Sequence, residues 1–188
     1  CTMDENGIVT DRRAGRIATE ICEELCETMS RKIKKVGDVQ VIVQPGKEHR
    51  FVVIFRGKGL KGPVTSTDPN REGLPLATAA AEDTKSAAQK KTAKAVNDFY
   101  RRALPLIESH PKANGFLMRG IAHKPAIPLF DQRYLLKPAA LAVYPMYKGL
   151  AQLVGMVKIE GPQTIEEQFQ RYLDEYDRYD FFFIHYKY

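Results

Sequence analysis

The chain has 188 residues, 44% of them hydrophobic and 28% charged, which reads as a soluble globular protein with one sizeable core or two small ones. Lysine and arginine (29) exceed aspartate and glutamate (23) by six, but the excess is spread among the acids. That disfavours the dense one-sided arm of a nucleic-acid binder and suits small anions better than polymers. No apolar run approaches the roughly 20 residues of a membrane span, so no membrane partner is expected.

The chain starts at Cys1 with neither an initiator methionine nor a basic-then-apolar leader, and it reads as a piece of a longer polypeptide. Cys1, Cys22 and Cys26 are an odd set, and the spacing of the last two matches no zinc or redox motif. Reduced thiols in a cytoplasmic protein are expected. Residues 2–4 and 7–10 flank Glu5-Asn6-Gly7, a turn signal that predicts a hairpin. From residue 15 to about residue 34, Ile17, Ile21, Leu25 and Met29 recur at helical spacing, with Cys22 and Cys26 widening the same face. Gly37-Asp38 ends that helix, and residues 39–43 and 50–55 read as a strand pair around Pro45-Gly46.

Residues 63–81 are polar and turn-prone. Residues 82–109 then read as one long helix, with Ala87, Ala88, Ala95, Val96, Phe99 and Leu106 on its apolar side and Pro105 bending or shortening it. Residues 115–118 read as a further strand. Beyond residue 128 the pattern becomes strand (139–143), helix (146–154), helix (164–176) and strand (180–184). The last run is continuously apolar, as a strand buried on both faces of a parallel sheet should be. Tyr172, Tyr176, Tyr179, Tyr186 and Tyr188 crowd this region and read as core packing. The fold class is α/β: residues 1–128 form a lobe with a mixed sheet, residues 129–188 open a parallel core, and the boundary lies near residues 125–138.

Two basic segments punctuated by glycine and proline stand out, residues 56–69 after the strand at 49–55 and residues 118–128 after the strand at 115–118. Glycine lets backbone approach a ligand closely, and arginine offers a planar fork of donors for carboxylate or phosphate. Both segments look built to hold a small anion.

Asp11-Arg-Arg-Ala-Gly-Arg16, Arg56-Gly-Lys-Gly-Leu60 with Thr67-Asp-Pro69, Leu117-Met-Arg-Gly120, and Ala142-Val-Tyr-Pro-Met-Tyr-Lys-Gly-Leu-Ala151 with Leu153-Val-Gly-Met156 occur in one order along the chain. Together they resemble the archaeal-type 2,3-bisphosphoglycerate-independent phosphoglycerate mutases of the alkaline phosphatase superfamily. The resemblance implies an enzyme that interconverts 3-phosphoglycerate and 2-phosphoglycerate without 2,3-bisphosphoglycerate. It would use a serine and two divalent metal ions, manganese, zinc or magnesium. The serine and several metal ligands of such enzymes fall outside this chain, so residues 1–128 would be the inserted, substrate-gripping lobe and residues 129–188 the start of the second phosphatase segment. No metal is expected in this chain. Alone it should be inactive, with the missing phosphatase segments as its partners.

Within that expectation Arg56 and Arg119 are the leading substrate contacts, each placed where a predicted strand gives way to glycine. Arg12, Arg13 and Arg16 precede a helix, where an anion also meets free backbone N–H groups; Arg13 and Arg16 are selected. Asp68 is placed to orient a substrate hydroxyl or an arginine, and His123 to bond a phosphate oxygen. By resemblance Lys148, just after the strand at 139–143 and expected to face a cleft between the lobes, would stabilise charge on the transferring phosphoryl group. His49 and His110 occupy turn-like positions, and His185 ends the last strand as a structural or metal-neighbouring residue. Another phosphatase or phosphomutase of the superfamily is the alternative. A basic RNA-binding module ranks lower, because the acids are evenly mixed and no aromatic stacking motif is present.

Overall fold

The computed structural model describes residues 1–186 and divides the chain into two units, Cys1–His123 and Lys124–Tyr188, each with its own strands. The first unit opens with the hairpin predicted by Glu5-Asn6-Gly7: β1 (Thr2–Met3) pairs antiparallel with β2 (Val9–Asp11). Asp4 accepts the Asn6 and Ile8 N–H groups on one carboxylate oxygen, both at 2.9 Å, while Gly7 supplies the left-handed turn residue at φ +75°.

The helix expected from residue 15 starts later, as α1 (Thr19–Lys32). Ala14, Gly15 and Arg16 all have positive φ in a short 3-10 turn, and the Asp11 carboxylate accepts the Arg13 and Gly15 N–H groups there. Backbone in the left-handed region cannot belong to a right-handed helix. Cys22, Cys26 and Met29 of α1 are buried, as the spacing implied. The Ser30 hydroxyl donates to the Val43 carbonyl, so α1 is tied to the sheet that follows.

That sheet has the order β3 (Lys35–Val36), β4 (Val39–Pro45), β5 (Phe51–Arg56), all antiparallel. Val39, Val41 and Val43 are buried and lie opposite Arg56's strand in the register Val41 with Phe55 and Val43 with Val53. The alternation therefore puts one face on the core. α2 (Ala87–Ala103) is shorter at both ends than expected. Ser86 caps it by accepting from the Gln89 N–H, and Pro105 lies in the 3-10 turn Leu104–Leu106 that follows. Its core residue Phe99 is fully buried and meets Phe55 at 5.9 Å and Phe116 at 5.7 Å between ring centroids.

Residues 115–118 are not a strand, although Phe116 and Met118 are buried as a strand's residues would be. The Met118 N–H donates to the Thr67 hydroxyl oxygen at 2.9 Å, so a side chain stands where a ladder needs a backbone carbonyl.

The second unit contains α3 (Phe130–Tyr134), β6 (Pro138–Ala142), α4 (Pro145–Leu153), β7 (Val157–Lys158), α5 (Ile165–Glu175) and β8 (Phe181–His185). The strands form a parallel sheet of order β7-β6-β8. The expectation of a last strand buried on both faces needs correction. All five residues of β6 are buried, whereas every residue of β8 is half-buried, because β6 lies between two neighbours and β8 pairs with β6 alone. Thr164 and Glu167 form a reciprocal capping box at the start of α5. Tyr172 and Tyr179 pack edge-on against Phe182, while Tyr176 is 57% exposed and Tyr186 37%; Tyr188 lies outside the described residues. Among the described residues no helix is long and apolar enough to cross a membrane.

Replacing Phe99 with alanine removes the ring on which Phe55 and Phe116 both rest. The expected cost is about 3–5 kcal/mol, read from urea unfolding of the full-length protein. A loss below about 1 kcal/mol would show that this cluster is not the core of the unit.

Candidate functional site

The two basic segments singled out in the sequence run side by side in the first unit. The Val64 N–H donates to the Ile121 carbonyl at 3.0 Å, and the Thr67 N–H and Ser66 hydroxyl donate to the Met118 carbonyl at 2.9 and 3.1 Å. Gly62 is buried at their closest approach, where a Cβ would stand 2.7 Å from Ala122 Cα and 3.2 Å from the His123 nitrogen. Both neighbours are backbone, so any side chain at position 62 forces the segments apart.

This pairing places Asp68 next to Arg119, and the hairpin brings in Arg12. Arg12 grips the carboxylate through two donors, Nε to Oδ1 at 3.0 Å and a terminal nitrogen to Oδ2 at 2.6 Å. Arg119 Nε stands 3.4 Å from the same Oδ2, and the Asn70 N–H donates to Oδ1 at 2.8 Å. The Asp68 side chain is fully buried, Arg12 is 29% exposed and Arg119 64%. Burial alone would push the Asp68 carboxyl up. The Arg12 hydrogen bonds, the Asn70 N–H and the charges of Arg12 and Arg119 outweigh it and hold the group below the usual carboxylate range. One carboxylate thus faces two guanidinium groups, with Glu72 adding a second negative charge beside Arg12, whose backbone N–H its Oε1 accepts at 3.4 Å, while the Arg119 side chain stays 64% exposed. That arrangement suits a small carboxylate or phosphate.

The other selected residues are placed as follows. Arg13 and Arg16 are exposed; Arg13 meets Asp11 through its backbone N–H alone. Arg12, passed over in the sequence, is the member of that block that reaches Asp68, and only the hairpin's position distinguishes it from its neighbours. Arg56 ends β5 and is exposed, as is His123 beside Gly62. Lys148 lies on α4 in the second unit, its Nζ 3.3 Å from Glu160 Oε2, while Lys158 Nζ holds Glu160 Oε1 at 2.5 Å. The Lys158 bond, against a small burial effect and aided by Lys148, keeps the Glu160 carboxyl below its usual range.

Among the histidines, His110 accepts two backbone N–H groups on Nδ1, those of Lys112 and Ala113, and so closes a turn. His185 stacks on Tyr147 with ring centroids 3.6 Å apart, and its buried Nδ1 has no hydrogen-bond partner among the described residues. Cys22 and Cys26 are buried free thiols with sulfurs 4.0 Å apart. No group of three or more His, Cys, Asp or Glu side chains among the described residues is placed to hold a metal ion.

The chain is thus a mixed α/β protein in which two basic loops converge on a carboxylate-tethered pair of arginines. A family model described as 2,3-bisphosphoglycerate-independent phosphoglycerate mutase matches residues 1–113, and the chain belongs to that family. It is 45% identical over 180 residues to a "Probable 2,3-bisphosphoglycerate-independent phosphoglycerate mutase" of Thermotoga maritima, covering 96% of this chain and 44% of the relative. A protein of the same description from Thermus thermophilus is 42% identical over 189 residues, covering 99% of this chain and 46% of the relative. Among solved structures, a cofactor-independent phosphoglycerate mutase from Thermoplasma acidophilum superposes with a TM-score of 0.70 at 26% identity, covering 99% of this chain and 53% of that one. The chain therefore spans about half the length of the relatives it matches.

The Asp68 geometry sets a pH dependence. Its folded carboxyl ionises below the unfolded value of about 3.9, so the ionised form stabilises the fold. That contribution is complete above the unfolded value and is lost as pH falls through the lowered folded one. Asp68→Asn should unfold at a lower temperature than wild type at neutral pH, with the gap closing as pH falls below about 4. A gap independent of pH down through that range would rule out an ionised Asp68 as the clamp.

Proposed function

We propose that the full-length protein interconverts 3-phosphoglycerate and 2-phosphoglycerate, and that residues 1–128 form the lobe that retains the glycerate while its phosphoryl group is held elsewhere. The observation that carries this reading is the Arg12–Asp68–Arg119 trio within the paired basic segments. Phosphoglycerate brings about three negative charges at neutral pH, counting its carboxylate and a phosphate near −2. Once the phosphoryl group has left, the glycerate keeps one. The exposed Arg119 guanidinium offers a cation to that remaining carboxylate, and the glycerate is held by a fork that is already oriented rather than by a freely moving side chain.

In this reading Arg12 and Asp68 form the frame and Arg119 is the working contact. Arg13, Arg16, Arg56 and His123 supply the further donors that the phosphate requires. Lys148 is the catalytic cation of the second unit, with Glu160 and Lys158 fixing its position until substrate competes for it. The reading assigns phosphoryl transfer through a serine, with two divalent metal ions, to segments outside this chain. Among the described residues no grouping of His, Cys, Asp or Glu side chains is placed to hold such ions. Its own task is to bind, orient and keep the acid, in a protein whose reduced thiols suit the cytoplasm.

In the full-length protein with metal supplied, Arg119→Ala and Arg56→Ala should each lose most of the mutase turnover. They should also release inorganic phosphate, because glycerate escapes before it is rephosphorylated. Coupled mutase and phosphate-release assays read both effects. Near-normal turnover in both variants would overturn the assignment, and hydrolysis of a broad panel of phosphate esters by the wild type would favour a phosphatase of the same superfamily.

A further inference from the structure

A cleft of about 590 Å³ runs along α2 in the first unit, within the range of about 300–1,000 Å³ typical of small-molecule sites. One wall is a stripe of α2, Lys90, Lys94, Asn97, Asp98 and Arg101, whose spacing puts all five on one helical face. The rest of the lining, opposite wall and floor, is mostly apolar, with Leu76, Ala80, Ala81 and the buried Ala93 joined by Thr67, Thr78 and Tyr100. Asn97 holds the two walls together: its side-chain carbonyl accepts the Ala79 N–H at 3.0 Å and its amide donates to the Ala79 carbonyl at 2.9 Å.

The charges of the stripe do not cancel. Asp98 takes Lys94 at 2.6 Å and also Arg101, while Lys90 joins no ion pair among the described residues. Three cations facing one carboxylate leave two positive charges on the wall, and Lys94 and Arg101 are 75% and 74% exposed. A phosphate monoester carries about −1.5 to −2 at neutral pH, which matches this excess where a carboxylate would leave half of it unmet. Leu76 and the alanines favour a ligand with a hydrocarbon body, beside which Thr67 and Thr78 add a few polar groups.

We propose that this cleft is a binding site for a small organic phosphate monoester with an apolar body, its phosphate on Lys90 and Lys94, one turn apart on α2, and its body on the floor formed by Leu76, Ala80, Ala81 and Ala93. Apart from Thr67, which lines its inner end, the cleft uses no residue of the paired basic segments.

Phenyl phosphate is the probe, titrated calorimetrically into the full-length protein. Saturable binding is expected, at least tenfold weaker in Lys90→Glu and within twofold of wild type in Arg119→Ala. Ala80→Trp, which fills the floor from an exposed position, should weaken it comparably. Inorganic phosphate, lacking the body, should bind at least tenfold more weakly than phenyl phosphate. The site is overturned by no saturable binding, as would follow if another segment of the full-length protein filled the cleft. It is equally overturned by unchanged binding in both cleft variants, by equal affinity for inorganic phosphate, or by loss of binding in Arg119→Ala, which would place the probe among the basic segments. Mutase activity enters none of these outcomes, so the test stands apart from the function proposed above.

Discussion

The buried carboxylate of Asp68 is the constraint around which the first unit is organised. A carboxylate taken out of water costs several kcal/mol unless charge and hydrogen bonds replace its hydration. Arg12 supplies two donors, Asn70 a backbone N–H and Arg119 a second positive charge. These partners come from three places, the end of the first hairpin, the turn after Asp68 and the second basic segment. Any of those segments that moves away removes part of the charge's compensation, and loss of Arg12 removes both hydrogen bonds it takes from side chains. Charge pairing, more than apolar burial, therefore determines where the hairpin and the two basic loops meet.

Packing beneath the trio makes that arrangement possible. Thr67 is buried beside Asp68 and works twice, its N–H donating to the Met118 carbonyl and its hydroxyl oxygen accepting the Met118 N–H. Arg119 is the next residue, so its backbone is fixed while its side chain stays in solvent. Gly62 serves the same end at the other side of the pairing, where the missing Cβ allows contact with the backbone of Ala122. Below these lie Phe99, Phe116 and Phe55, which set the level at which the loops leave the core.

What could be read from the sequence follows from how local each cause is. Glu5-Asn6-Gly7 announces its turn within three residues, the valines of β4 alternate within seven, and Pro105 ends α2 by itself; all three features are present. The basic segments were visible because glycine, proline and arginine cluster in them, and Asp68 and Arg119 were among the residues selected. Their joining was not visible. Arg12 and Asp68 are 56 residues apart, and nothing in the composition of residues 11–16 separates Arg12 from Arg13 or Arg16. The left-handed backbone of residues 14–16 was hidden for a similar reason: Ala14 and Arg16 are ordinary helix formers, held in that conformation by an Asp11 carboxylate outside the helix pattern. The irregular segment at 115–118 reads as a strand because its burial is that of a strand, while the partner that spoils the ladder is a hydroxyl 51 residues away.

The chain's positive charge also has a pattern, in which one carboxylate is shared by two cations. Asp98 lies between Lys94 and Arg101, Glu160 between Lys148 and Lys158, Glu175 between Arg171 and Arg178, and Asp68 between Arg12 and Arg119. Each trio leaves one positive charge beside a fixed negative one, which explains how an excess of six can be spread along the chain without a single-sign patch. They differ in reach. The trios of Asp98 and Glu175 are built from residues three and four apart in sequence, local contacts made within one or two turns, although the Glu175 carboxylate is itself buried. The Glu160 trio spans the end of α4 and the end of β7 and keeps its carboxylate 58% exposed. The Asp68 trio alone among these joins segments more than 50 residues apart and buries its carboxylate completely. Helical trios form wherever the spacing occurs and need no function to explain them. A trio that joins distant segments, bears the cost of a buried charge and leaves one guanidinium largely in water holds a cation at a position fixed by the fold, as the proposed retention of a small acid requires.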